Sequence, residues 1–307
     1  MRKGAGMKEA AMNRRDFLKQ TGLAGAAAAL GIAGRAGGAE KAAPAALPGM
    51  PTIKLGSLEV SRLILGSNPF WGFAHKPGNL GEEMKQWYTN ERITTCLNDA
   101  AEAGITALAS PPDPRWCEVF AKYREGGGKL RLWIAQCHGE PEKMIEEIET
   151  AAKAGAKAIF IQGHRVEQQF EKGKFDVLQK WVERIKELGL PAGVAAHWPE
   201  IHPELQKRKF PLDFCYQCFY NVSRGETYRE EERKKAVETL QQLEKPVVAY
   251  KILAAGRVPA EEGFEFAFSH LRRKDGVCVG VYTKLAQDQV RQNAALTESL
   301  SALQARS

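Results

Sequence analysis

The fold is decided by one stretch of the sequence, LRLWIAQ at residues 130–136, followed by PEKMIEEIETAAKAG at 141–155 and AIFIQ at 158–162. These residues form an apolar run, a segment with apolar residues at three-to-four spacing, a glycine and a second apolar run. This order predicts a strand, then a helix with a glycine cap at its end, then a parallel strand. The apolar runs of the chain that fit this pattern lie at 62–66, 105–109, 130–136, 158–162, 192–196, 212–217, 247–251 and 277–281.

This rhythm predicts an α/β protein. Eight strand–helix units in about 250 residues are typical of a (β/α)8 TIM barrel. A doubly wound open sheet is the alternative, but no Gly-x-Gly-x-x-Gly turn follows the first run. We therefore predict one barrel domain over residues 52–307.

The N-terminus resembles a twin-arginine export signal. Arg14 and Arg15 precede Phe17-Leu18-Lys19, and an uncharged segment follows at 23–34. This segment is shorter than the ~20 apolar residues of a membrane-spanning helix, so no stable membrane anchor is expected. We predict a signal at 1–39, a linker at 40–51, recognition by the twin-arginine translocation machinery, and export to the periplasm or cell envelope.

The charge of the chain resides mostly in this predicted signal. Residues 1–39 hold seven basic and two acidic residues, so the net charge of +7 falls by 5 to +2 when they are removed. Such a small charge gives no reason to expect nucleic acid as a partner. A small molecule is the expected substrate.

Three histidines follow consecutive predicted strands, namely His138, His164 and His197. Barrel enzymes place their chemistry at the carboxyl ends of the strands, and neighbouring strands lie ~4.8 Å apart. We therefore predict a shared functional site, with Lys251 after the seventh run as a positive charge or an amine nucleophile. A divalent metal such as Zn, bound by the imidazoles, is one alternative. A second alternative is that the three histidines are unrelated and bond separately to loop carbonyls. His202 is expected at the surface.

Four segments resemble the aldo/keto reductase superfamily, at 53–66, 103–105, 217–224 and 279–293. The resemblance implies a barrel preceded by a short β-hairpin and hydride transfer between a nicotinamide cofactor and a carbonyl. That chemistry uses a tyrosine proton donor supported by lysine, aspartate and histidine. His164 stands where the histidine is expected, whereas the aspartate, tyrosine and lysine positions hold Ala109, Pro114 and Gln136.

The resemblance also implies a cofactor, NADP. The residues that it assigns to NADP are Gln217, Tyr220, Tyr282, Thr283, Lys284 and Asn293. The leading hypothesis is an exported enzyme that acts on a small polar carbonyl or hydroxyl compound, such as a sugar derivative, with His164, His138, His197 and Lys251 at the substrate. The alternatives are a metal-assisted lyase, hydratase or isomerase, and a barrel that binds a ligand without catalysis.

Overall fold

The computed structural model describes residues 49–220 and 228–306. The predicted signal and linker, apart from residues 49–51, lie outside the described residues, as do residues 221–224 of the aldo/keto reductase-like segment. Among the helices of the described ranges, none is both long and apolar enough to cross a membrane.

Eight parallel strands close into a barrel, which confirms the predicted fold. A short antiparallel hairpin of β1 (Thr52–Leu55) and β2 (Leu58–Ser61) precedes it. The barrel strands are β3 (Leu63–Gly66), β4 (Ala107–Ser110), β5 (Leu132–Cys137), β6 (Ala158–Ile161), β7 (Ala192–Ala196), β8 (Phe214–Cys218), β9 (Val247–Tyr250) and β10 (Gly276–Gly280). Each strand pairs with the next in the chain, and β10 closes the ring on β3.

The strands are apolar on both faces because helices cover the outside and side chains fill the inside. Every residue of β4, β6, β7 and β8 is buried. Alternate residues such as Phe214, Tyr216 and Phe160 join the core cluster inside the barrel, as the two-residue period of a strand requires.

Helices follow the strands around the barrel. They are α1 (Leu80–Trp87), α2 (Asn90–Glu102), α3 (Pro114–Glu125), α4 (Met144–Lys153), α5 (Gly163–Glu171), α6 (Phe175–Glu187), α7 (Ile201–Lys207), α8 (Glu230–Gln241), α9 (Ala260–His270) and α10 (Gln289–Arg306).

Helix α3 starts at the position where the resemblance to the reductases places a tyrosine. Pro114 is its first residue, after an Asp113 cap that accepts from Arg115 N at 2.8 Å, which suits proline's fixed φ.

The core at the amino-terminal, closed end of the barrel is joined by three hairpin residues, Ile53, Leu55 and Val60. A buried ionic network also lies at this end. Asp275, just before β10, accepts from Val247 N at 2.8 Å and from Arg272 Nε at 2.7 Å. Arg62, just before β3, donates to the Asp275 carbonyl at 2.8 Å and to the Arg272 carbonyl at 2.9 Å. Burial lowers the pKa of Arg62 to about 10, and Asp275 opposes that shift.

His202 is buried, so the prediction of a surface position is wrong. It lies in α7 with Ile201 and Leu205 on the face that packs against the barrel. Its Nε2 is 3.0 Å from the Tyr216 carbonyl oxygen, and burial lowers its pKa to about 4. The helix therefore places a neutral imidazole where an apolar side chain is usual.

Candidate active site

A cavity of about 470 Å³ opens at the carboxyl ends of the barrel strands, the end where barrel enzymes hold their chemistry. Phe160 and Tyr216 lie at its floor with their rings stacked, the centroids 4.1 Å apart. Loops after β3, β5, β7, β9 and β10 form its walls. In the described part of the chain its lining includes no aspartate or glutamate, whereas Lys76 and Lys251 both line it.

His197 is held at the wall of this cavity by a carboxylate. It directly follows β7, and its Nδ1 lies 2.8 Å from Oε1 of Glu167 in α5. The same Oε1 accepts the backbone N–H of His197 at 2.7 Å. An ionised carboxylate only accepts, so Nδ1 carries the proton and Nε2 of the neutral ring keeps its lone pair.

Lys251 completes a chain of three residues with Glu167 and His197. It follows β9 and places its Nζ 3.3 Å from His197 Nε2. Its backbone has φ of 56°, and Ala254 and Ala255 in the same loop also have positive φ. Such conformations are costly for residues other than glycine and cluster at functional sites. The loop is held by Arg257, which donates to the carbonyls of Ala254 and His75.

His138 also lines the cavity and also pairs with a carboxylate. Its Nδ1 is 3.1 Å from Oε1 of Glu147 in α4. The hydrogen bond to Glu147 raises the pKa of His138, although partial burial opposes the shift. For Glu147, burial raises the pKa but hydrogen bonds from His138 and the Gly139 N–H outweigh it, so the net pKa is lowered.

His164 lies apart from the other two histidines. It is the second residue of α5, is exposed, and has its Nε2 3.0 Å from Gln168 Nε2. The cavity lining does not include it. The structure therefore brings His138, His197 and Lys251 to the cavity but leaves His164 outside.

The metal alternative finds no support in this arrangement. Within residues 49–220 and 228–306, no three His, Cys, Asp or Glu side chains are grouped so that they could hold a metal ion. The predicted imidazole ligands contact Glu147, Gln168 and Glu167 respectively. The three histidines therefore do not form a shared metal site.

Three tyrosines of the cavity lining have fully buried hydroxyls. Tyr216, Tyr250 and Tyr282 line the cavity. Among the described residues the hydroxyls of Tyr216 and Tyr282 have no hydrogen-bond partner, whereas the Tyr250 hydroxyl interacts with the Cys218 side chain. Burial raises the pKa of Tyr216 and of Tyr250 well above the ordinary value, so both phenols keep their protons. These hydroxyl oxygens are almost inaccessible, so the three tyrosines are not assigned as donors to a ligand.

The rim of the cavity is apolar. Phe73 is 53% exposed and Leu285 is 73% exposed, and both line the cavity. They are the large hydrophobic side chains found exposed in the described part of the chain. Isolated exposed apolar residues are ordinary, but two on the neighbouring loops after β3 and β10 at one cavity indicate a ligand contact.

The residues that the resemblance assigns to NADP divide into two groups. Tyr282 and Asn293 line the cavity, whereas Gln217 lies on the face of β8 opposite to Tyr216, and Tyr220 is buried outside the lining. Thr283 accepts from Trp87 Nε1 at 3.1 Å, and Lys284 pairs with Glu83 at 3.5 Å. Helix α1 therefore contacts Thr283 and Lys284, and of the six residues only Tyr282 and Asn293 line the cavity.

The two carboxylates behind the histidines were not predicted from the sequence. Glu147 is nine positions after His138 and Glu167 is thirty positions before His197. A signal for Glu167 was present, because it occupies the apolar stripe of α5 with Gly163 and Val166. A carboxylate on the buried face of a helix needs a partner.

Comparisons with known proteins agree with the fold. No protein-family model and no curated protein sequence matches the chain. A protein assigned to the aldo-keto reductases, from Pseudomonas aeruginosa, is 16% identical with a TM-score of 0.56, covering 83% of this chain and 98% of its own. A Bacillus halodurans aldo-keto reductase in holo form is 15% identical, with a TM-score of 0.55. The match covers 81% of this chain and 91% of the Bacillus halodurans chain.

Another enzyme with a similar structure belongs to a different reaction class. A phospho-2-dehydro-3-deoxyheptonate aldolase from Thermotoga maritima is 12% identical with a TM-score of 0.51, covering 84% of this chain and 74% of its own. At such identities a structural match establishes the fold and leaves the reaction to the site. The resemblance to the aldo/keto reductases that the sequence motifs indicated is confirmed at the level of the fold.

Proposed function

We propose that this protein is an enzyme that transfers a proton to or from a small polar carbonyl or hydroxyl compound bound in the barrel mouth. The observation that carries the proposal is the sequence of contacts from Glu167 to His197 to Lys251 at the cavity wall. An imidazole oriented by a carboxylate, with its second nitrogen facing a ligand cavity, is the arrangement of a general acid–base. His197 is the proton carrier in this proposal.

The cavity lining supports the substrate class. The amides of Gln136, Gln162 and Asn293 provide neutral hydrogen-bonding groups, and Phe160 provides a flat apolar surface. Lys76 and Lys251 favour a substrate that is neutral or negatively charged. A short polyhydroxy aldehyde or ketone, such as a sugar derivative, satisfies these groups.

NADP-linked oxidation and reduction is the second candidate. The observation that favours it is the extent of the cavity, which reaches from His197 to Tyr282 and Asn293. These two residues belong to the segment whose sequence resembles the cofactor loop of aldo/keto reductases. Titration with NADP and NADPH, followed by calorimetry, tests it, and Asn293→Ala is expected to weaken any binding about tenfold.

Export remains part of the proposal. Its basis is the paired arginines and the uncharged segment after them. Fusion of residues 1–51 to a reporter that functions only after folded export is expected to deliver it to the envelope, and Arg14→Lys with Arg15→Lys is expected to stop delivery.

The proposed reaction is tested by solvent exchange. The protein without residues 1–39 is incubated in D₂O with short polyhydroxy aldehydes and ketones, and deuterium at the carbon beside the carbonyl is measured by NMR. We expect exchange above background that falls about 10²–10³-fold in His197→Asn. His164→Asn is the matched comparison, because His164 follows a neighbouring strand but lies outside the cavity. No exchange with any compound, or equal loss in both variants, contradicts the proposal.

A further inference from the structure

We infer that Lys251 is the nucleophile of this site and forms an iminium ion with the carbonyl carbon of the substrate. The inference rests on the proposed function, because it requires a carbonyl compound in the cavity. It goes further by assigning a covalent step to the protein itself.

The first support is the relation of Lys251 to its neighbours. An activated nucleophile is recognised by a base within hydrogen-bond reach and by a third group that orients the base. Lys251 Nζ lies 3.3 Å from His197 Nε2, and Glu167 Oε1 lies 2.8 Å from His197 Nδ1. These three groups meet that description, and Lys251 lines the cavity where a carbonyl carbon would lie.

The second support is the backbone that presents Lys251. Its φ of 56° places a β-carbon-bearing residue in the left-handed region directly after β9. The loop then turns at Leu253, whose carbonyl accepts from the backbone N–H groups of Gly256 and Arg257 at 2.8 and 3.1 Å. Lys76 Nζ donates to the Gly256 carbonyl at 3.1 Å and connects this loop to the one after β3. The loop is fixed on both sides, so Lys251 is directed rather than free to extend into solvent.

The third support is the contrast with other lysines. Lys76, which also lines the cavity, donates to a carbonyl. Lys284 and Lys186 pair with the carboxylates of Glu83 and Asp213. A carbonyl or carboxylate oxygen accepts a hydrogen bond from the ammonium group, whereas the imidazole nitrogen next to Lys251 can also take the proton that must leave before the amine attacks. Lys251 Nζ also lies 6.0 Å from the centroid of the Tyr228 ring.

The chemistry balances without an added oxidant or reductant. His197 Nε2 takes a proton from the Lys251 ammonium group, and the nitrogen lone pair forms a bond to the carbonyl carbon. The carbonyl π electrons move to oxygen, which takes up a proton to give a carbinolamine. The nitrogen lone pair then expels this oxygen as water, which carries away two protons of the original ammonium, and the protonated iminium remains. That cation withdraws electrons and acidifies the neighbouring C–H bond, whose proton His197 can accept.

Reductive trapping tests the inference. The protein without residues 1–39 is incubated with glycolaldehyde and sodium cyanoborohydride, which reduces an iminium ion to a stable secondary amine. Peptide mass spectrometry then gives the modification rate of each lysine. We expect Lys251 to be modified at least about tenfold faster than the exposed Lys153 and Lys180, because a neighbouring base activates it.

Two variants separate reactivity from exposure. His197→Gln is expected to slow the modification of Lys251 by about 10²-fold, with the rates at Lys153 and Lys180 unchanged. Lys251→Arg keeps the positive charge and is expected to remove the fast site and abolish deuterium exchange. Circular dichroism of each variant confirms that it is folded before the rates are compared.

The outcomes distinguish the inference from the proposed function. Modification of Lys251 at the rate of Lys153, or a rate unaffected by His197→Gln, overturns the inference. Deuterium exchange that persists in Lys251→Arg overturns the inference but leaves His197 as the proton carrier. If the wild-type protein shows fast trapping without exchange, Lys251 is the nucleophile and the proposed proton transfer is wrong.

Discussion

The two ends of the barrel hold charged groups of the same kinds but arrange them differently. At the closed end, the Asp275 carboxylate accepts from the backbone N–H groups of Val247 and Arg272 and from the Arg272 guanidinium, and Arg62 donates to nearby carbonyls. At the mouth, Lys251 has a positive φ, and Lys251 and Lys76 line a cavity whose described lining includes no aspartate or glutamate. The charged groups of the closed end pair with one another, whereas the two lysines of the mouth line an open cavity.

Because of this difference, we expect the closed end to determine stability and the mouth to determine the reaction. A polar network whose groups are paired stabilises the fold, and removal of one member leaves its partners buried and unpaired. A site prepared for a ligand contributes less to stability and more to chemistry. Substitutions at the closed end should therefore change the free energy of unfolding, and substitutions at the mouth should change the reaction.

The largest effect is expected at the closed end. Asp275→Asn removes the carboxylate that pairs with Arg272 and the negative charge that favours the charged form of Arg62, and we expect a loss of about 3–5 kcal/mol in the free energy of unfolding. Urea denaturation measures it. Asp176→Asn, at an exposed position in the first turn of α6, is the control and should change stability by less than about 1 kcal/mol. Equal effects at both positions would show that the Asp275 network does not stabilise the barrel.

At the mouth, Glu167→Gln should have the opposite profile. The amide can still accept from the His197 backbone but carries no charge to support a protonated imidazole. We expect deuterium exchange to fall about 10²-fold and the free energy of unfolding to change by less than about 1 kcal/mol. Glu167→Asp should recover part of the exchange. A stability loss as large as that of Asp275→Asn would place Glu167 with the structural groups.

His202 lies between the two ends and predicts an acid-dependent loss of stability. Its folded pKa of about 4 lies below the ordinary value of 6.5, so only the unfolded chain takes up the proton between these pH values. The contribution of the neutral His202 imidazole to the free energy of unfolding is complete above pH 6.5. As the pH falls toward 4, about 2–3 kcal/mol of this contribution is lost. The melting temperature of His202→Gln should therefore vary less over this range. His270→Gln in α9 is the control, and an identical pH profile in His202→Gln and the wild type contradicts the assignment.

The apolar rim should affect binding more than rate. Phe73→Ala and Leu285→Ala each remove partly exposed apolar area, and we expect the KM for the best exchange substrate to rise about three- to tenfold, with the maximal rate unchanged. Steady-state exchange as a function of substrate concentration gives both constants. An unchanged KM in both variants would remove the rim from the ligand site.

The smallest effect is expected for His138 and Glu147. Because the pKa of His138 is raised, its contribution to the free energy of unfolding is present below pH 6.5 and is lost as the pH rises through the raised value. Because the pKa of Glu147 is lowered, its contribution to the free energy of unfolding is present above pH 4.5 and is lost as the pH falls through the lowered value. We expect Glu147→Gln to reduce stability by less than about 1 kcal/mol between these limits, because His138 is partly exposed. Melting temperatures at pH 5.5 and 8.5 give the difference, and a larger loss at pH 8.5 contradicts it.

The barrel could be predicted from the sequence because its signal is local. Each apolar run coincides with a barrel strand, with ends that differ by at most two residues. The periodicity that predicts a strand or a helix lies within that element, and closure of eight such units follows from their order. The hairpin before the barrel was expected from the resemblance to the aldo/keto reductases and is also present.

The site was predicted only in part because its contacts join distant segments. His138 and His197 directly follow their strands and reach the cavity, whereas His164 is three residues beyond β6 and is carried to the surface by α5. The strand-end rule locates the correct end of the barrel but not the direction of a side chain. The pairing of Glu167 with His197 spans thirty positions, and no pattern within one element reveals it.

The most direct test of the account is the protonation of His197 in the wild-type protein. A nitrogen-15 NMR spectrum of the imidazole, recorded where the ring is neutral and assigned with His197→Asn, distinguishes its two tautomers. We expect a proton on Nδ1, bound toward Glu167, and a bare Nε2 facing Lys251 and the cavity. A proton on Nε2 would contradict it, because His197 could then accept no proton from either Lys251 or a substrate.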